Sequence, residues 1–81
     1  MNKATITVSG HDHVGIVANI SQELSKYGIN IIDISQTVMS VHFTMVMAVD
    51  LSSCSLTYDE LSANLKDLAD QLNLTIRMER K

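Results

Sequence analysis

Proline and tryptophan are absent from this 81-residue chain; cysteine and phenylalanine each occur once, tyrosine twice and glycine three times. A single cysteine cannot close an internal disulfide, so a reducing, cytoplasmic setting is expected. Basic residues are also scarce: six Lys and Arg stand against nine Asp and Glu, a net charge of −3. A phosphate backbone attracts clustered cations, so nucleic acid is excluded as the expected partner. Behind the initial Met come Asn2 and Lys3, and no apolar run reaches the roughly 7–15 residues of a signal core. None approaches the roughly 20 residues of a membrane span either, so no membrane partner is expected. What the chain does have is eight Ile, seven Val, eight Leu and five Met. At 46% hydrophobic and 19% charged, the composition is globular and argues against disorder. The expectation is one domain over residues 1–81, with a thin core and no room for a second.

Periodicity supplies the element order. Ala4, Ile6 and Val8 alternate with Thr5, Thr7 and Ser9, which predicts a half-buried strand. Gly10-His11-Asp12-His13 breaks the pattern, and from Val14 the period changes to that of a helix, with Ile16, Val17, Ile20, Leu24 and Tyr27 on one stripe. Asp12 reads as the N-cap, and Gly28 as the left-handed residue past the helix end. Ile29 to Val38 predicts a second strand; Ile32, Ile34, Gln36 and Val38 share one parity and Ile31 the other, which points to a bulge. Ser40-Val41 predicts a tight reversal into a third strand, where Phe43, Met45, Met47 and Val49 alternate with His42, Thr44, Val46 and Ala48. Thr57-Tyr58-Asp59-Glu60 is a capping box with Leu56 and Leu61 as its staple. A second helix with Leu61, Leu65, Leu68 and Leu72 follows, then Asn73 as its exit and a last strand through Leu74, Ile76 and Met78. The order β-α-β-β-α-β is that of the ferredoxin-like α+β fold, a four-stranded antiparallel sheet with two helices on one face. The second strand falls on an outer edge.

The loop Gly10-His11-Asp12-His13-Val14-Gly15-Ile16-Val17 carries the most chemistry. It joins a strand end to a helix start, where unpaired amides favour an anion. A carboxylate beside those donors suits a zwitterion, with the ligand's amine on Asp12 and its carboxylate on the amides of Val14, Gly15 and Ile16. The alternative is that Asp12 only caps and Gly15 only permits close packing. Asn30, after Gly28-Ile29, would add a donor and an acceptor if the start of the second strand lies near this loop; the alternative is a turn residue satisfying its own backbone.

Asp12-x-x-Gly15-Ile16-Val17 followed by Gly28-x-Asn30-Ile31 resembles the ACT domain family, particularly its stand-alone members and the glycine cleavage repressor type. The resemblance implies a non-catalytic regulatory module that binds a small amino acid at a homodimer interface. The resemblance implies ligand contacts at Asp12, Gly15, Ile16 and Asn30; with the adjoining His13, Val14 and Ile31, these are the expected ligand-binding residues. Some serine-sensing relatives carry His at the strand end and Pro before the glycine, where this chain has Gly10 and Val14. The alternative is an assembly domain without a ligand.

Other chemistries find less support. His11-x-His13 with His42 is a weak metal pattern, and no metal or cofactor is expected. They read as solvated loop histidines; the alternative is that they would make a nearby pocket pH-sensitive, since imidazole in general changes charge near pH 6.5. Cys54 has no neighbouring base and reads as a bystander. An acylphosphatase would need an arginine in the first loop, but the arginines are Arg77 and Arg80. A copper chaperone would need Cys-x-x-Cys there, and an RNA-recognition sheet would need aromatic and basic residues on its central strands. An enzyme is therefore not expected. The second strand carries no Pro or Lys to block pairing, which predicts a homodimer through that edge.

Overall fold

In the computed structural model, which describes residues 2–80, six elements follow in the predicted order. They are β1 (Lys3–His11), α1 (Ile16–Lys26), β2 (Asn30–Met39), β3 (His42–Asp50), α2 (Tyr58–Leu72) and β4 (Leu74–Arg80). The strands form one antiparallel sheet in the order β2-β3-β1-β4, so β2 and β4 are its edges. This is the ferredoxin-like fold.

Pleating sorts the strands into two faces. Ala4, Ile6 and Val8 lie opposite Val49, Met47 and Met45, and all six are buried. Against them pack Ile16, Ile20 and Leu24 of α1 and Leu61, Leu65 and Leu68 of α2, the stripes read from the sequence. Each such side chain contributes about 1.5–3 kcal/mol when fully buried. The other face presents Thr5, Thr7 and Ser9 opposite Ala48, Val46 and Thr44.

Helix α2 begins as predicted. The Glu60 amide donates to Thr57 Oγ1 at 3.1 Å, and the Thr57 amide donates to Glu60 Oε1 at 2.9 Å. At its end Asn73 takes a left-handed φ of 57°. Helix α1 also ends as predicted: the Ile29 amide donates to Leu24 O and the Gly28 amide to Ser25 O, a Schellman motif. Its start is different. Ile16 opens the helix, Gly15 is the N-cap at φ 91°, and no side chain caps it. The reading of Asp12 as N-cap is therefore corrected, because a cap must immediately precede the first helical turn and three residues intervene.

Strand β2 contains the bulge. Ile31 pairs with Val49 and Asp33 with Ala48, leaving Ile32 as the extra residue. That insertion removes Ile32 from its apparent parity mates. Ile31, Ile34, Gln36 and Val38 now share the helix-side face opposite Val49, Met47, Met45 and Phe43. The reversal at Ser40-Val41 follows, with Ser40 at φ 59°, closed by Met39 opposite His42.

Candidate functional site

The β1–α1 loop is built on backbone contacts. The Asp12 amide donates to Val41 O at 2.7 Å, tying the loop to the β2–β3 turn. The His13 ring reaches across to α2, where Nε2–H donates to Leu72 O at 2.9 Å, and Nδ1 lies 3.3 Å from Val14 O. Asn19 donates to Gly15 O from both its amide (2.9 Å) and its side chain (2.7 Å). These three anchors were missed in reading the sequence. Only the third had a local signal, an Asn one helical turn after the glycine.

Between the anchors the loop is open to solvent. Asp12 and His13 are exposed, and Val14 is fully exposed. Ile16 is buried, so its side chain belongs to the core. Gly15 is required by its own backbone, since an L side chain is strained at φ 91°. A Cβ there would meet only the Asn19 side chain, at 3.2 Å, so tight helix–sheet packing is not what selects the glycine. Asp12 is exposed, and no side chain caps the first turn of α1.

Asn30 and Ile31 are elsewhere. Asn30 lies opposite Asp50, which lies opposite Lys3, so the start of β2 shares its end of the sheet with the start of β1. The loop follows the other end of β1, about 30 Å away by strand rise. The expectation that Asn30 neighbours the loop within one chain is therefore corrected: β1 and β2 both run antiparallel to β3, so their starts coincide. Asn30 is exposed and Ile31 half-buried at that far end. Nearby, the Asp50 carboxylate accepts from Ser52 Oγ at 2.6 Å and Ser52 N at 2.9 Å, and these bonds hold its pKa below the usual carboxylate range.

Two further features lie outside this motif. His11, His42 and Met39 sit in one cross-strand row, but among the described residues no group of three or more His, Cys, Asp and Glu can hold a metal. A cavity of about 560 Å³ opens between α2 and β4, lined by Asp59, Lys66, Asp70, Leu74 and Ile76 among others. It contains none of the motif residues. Among the described residues no helix is long and apolar enough to cross a membrane.

Comparisons with known proteins agree on the fold. A UPF0237 protein of Bifidobacterium longum is 42% identical over 81 residues, covering 100% of this chain and 90% of its own. An ACT domain protein from Streptococcus pneumoniae superposes with a TM-score of 0.87 at 38% identity, covering 98% of this chain and 89% of that one. A putative glycine cleavage system transcriptional repressor matches with a TM-score of 0.85 at 26% identity, covering 99% of this chain and 46% of that one. The family model described as the ACT domain matches residues 3–79. Matched over nearly its whole length, the chain belongs to the ACT domain family.

Proposed function

We propose that this protein is a non-catalytic, cytoplasmic regulatory module that binds a small amino acid between two copies joined through β2. The observation that carries the reading is the β2 edge. Its helix-side residues Ile34 and Val38 are 40% and 52% exposed, while their partners Met47 and Phe43 across the ladder are buried. Beyond Ile31, which packs on the core, the helix-side face of β2 keeps an apolar strip that is only partly covered. Two β2 edges paired antiparallel about a two-fold axis would cover it, as burial of apolar surface favours.

The same pairing resolves the separation of the motif. With antiparallel β2 strands, the start of one lies beside the end of the other, and that end leads through Val41 to Asp12. Asn30 and Ile31 from one copy then face the Asp12 loop of its partner, giving two equivalent sites. In each, Asp12 takes the ligand's ammonium and the amides of Val14, Gly15 and Ile16 take its carboxylate. Fold and family likeness to a putative glycine cleavage system transcriptional repressor supports a regulatory role. The competing reading, an assembly domain with no ligand, draws on Gly15, whose backbone angle alone accounts for the residue.

A thermal-shift screen across an amino-acid panel, paired with light scattering, separates these readings. A ligand of so few atoms should bind at roughly micromolar to millimolar affinity and raise Tm at concentrations above its Kd. A dimer with no response to any amino acid would favour the assembly reading, and a monomer would remove both.

A further inference from the structure

We infer that Gln36 sits on the two-fold axis of the β2 seam and sets its register; the inference rests on the dimer reading above. Two observations locate the axis. First, the bulge at Ile32 and the turn at Ser40 bound a regular segment, Asp33 to Met39, that pairs residue for residue with β3. Antiparallel pairing of the whole segment with its own copy places its midpoint, Gln36, on the axis.

Second, the side chains agree with that midpoint. On the helix-side face the order is Ile34, Gln36, Val38, an exposed polar residue between two exposed apolar ones. Centred on Gln36, the seam sets Ile34 against the partner's Val38 twice and Gln36 against the partner's Gln36. Each amide offers one carbonyl and one NH2, so the two amides can donate to each other reciprocally. On the outer face Ser35 meets the partner's Thr37, hydroxyl to hydroxyl. A centre on Ser35 would set Gln36 against the partner's Ile34, and a centre on Thr37 would set it against the partner's Val38. Either shift leaves an amide facing a hydrocarbon as the seam closes over it, and an unmatched buried polar group is costly. A shift of one residue in the centre moves each strand by two positions, so no side chain changes face and only the pairing distinguishes the registers.

The register has a consequence for the site. With Asp33 against the partner's Met39, the bulge and then Ile31 and Asn30 run past the partner's Ser40-Val41 turn, whose Val41 carbonyl holds the Asp12 amide. Gln36 is thus a positioning residue that fixes where Asn30 arrives.

Cysteine cross-linking tests this in the full chain, with Cys54→Ser removing the native thiol. Directly opposed cross-strand positions have Cβ atoms close enough for a disulfide. Gln36→Cys is expected to give a covalent dimer under mild oxidation, whereas Ser35→Cys and Thr37→Cys are not. A mixture of Ile34→Cys and Val38→Cys chains should cross-link to each other more than either does alone. Gln36→Glu should raise the dimer dissociation constant at least about tenfold at pH 7, as two carboxylates meet on the axis, and recover below about pH 4. Cross-linking at Ser35 or Thr37 with the protein still dimeric would overturn the register and leave the dimer standing. A dimer that cross-links at none of these three positions would likewise overturn it. Monomeric wild-type protein in light scattering would overturn the register together with the dimer.

Discussion

The two edges of the sheet are guarded differently. Strand β4 is seven residues long and carries Arg77, Glu79 and Arg80, and α2 attends it closely: Tyr58 Oη donates to Met78 O at 3.2 Å while the Arg80 guanidinium lies 4.3 Å over the Tyr58 ring. Strand β2 runs ten residues with Asp33 as its one charged side chain, and exposes Ile32, Ile34, Val38 and Met39. Charge and brevity are the usual devices against edge-to-edge pairing. Strand β4 has both, whereas β2 has one charge along ten residues, which is why the assembly proposed here runs through β2 and spares β4.

The comparison breaks most visibly if β2 is given the charges that β4 has. The double variant Ile34→Lys, Val38→Lys places four ammonium groups at a two-fold seam and removes the apolar pairs. We expect the dimer dissociation constant to rise by about 100-fold or more, read by sedimentation. The two positions are 40% and 52% exposed in the single chain, so circular dichroism should show the fold intact. Glu79→Lys on β4 should leave assembly unchanged. If the β2 variant remains as dimeric as the wild type, the seam lies elsewhere.

The next effects concern the loop. Asp12 caps nothing, so Asp12→Asn should leave stability nearly unchanged while weakening amino-acid binding by about 1–3 kcal/mol, as loss of a charge-assisted hydrogen bond does. Gly15→Val forces a β-branched residue to φ 91° and should cost about 1–3 kcal/mol of stability besides blocking the ligand. Calorimetry for binding and urea denaturation for stability separate the two outcomes. Equal binding by Asp12→Asn and wild type would show that the ammonium is not held there.

How far the sequence could be read follows the same division between local and distant. The capping box of Thr57 and Glu60 and the Schellman end at Leu24-Gly28-Ile29 were legible because each motif satisfies itself within a few residues. The start of α1 was misread because Asp12, a good capping residue by type, stands three residues before a glycine whose backbone angle performs the turn instead. The bulge was legible as a conflict of parity in β2, but its position was not, since Ile31 and Ile32 are chemically alike. Asn30 failed for a topological reason. Proximity in the motif was read as proximity in the chain, although β1 and β2 start at the same end of the sheet.

A smaller effect checks that the β4 side is held from within. Thr57→Ala removes the acceptor for the Glu60 amide and should cost about 1 kcal/mol of folding stability. Because α2 lies against β4, the loss should appear in urea denaturation and leave the dimer dissociation constant of the folded protein unchanged. A parallel loss of dimerisation would mean that α2 also supports the β2 seam.

The smallest expected effect is acid-dependent and belongs to the end of the sheet where Asn30 begins. Two donors from Ser52 favour the ionised Asp50 carboxylate, so its pKa in the folded chain lies below that in the unfolded chain. A group lowered in this way binds fewer protons when folded. Its contribution to stability is complete above the ordinary carboxylate value of about 3.9 and is lost as pH falls through the lower folded value. Asp50→Asn removes that proton linkage while keeping an oxygen that can accept from Ser52. The variant should therefore lose less Tm than the wild type between about pH 5 and pH 2.5, with the difference small because the carboxylate is solvent-exposed and screened. Thermal melts across that window decide it: parallel curves would mean that the Ser52 bonds do not persist in solution. A steeper fall in the variant would place the relevant acid elsewhere.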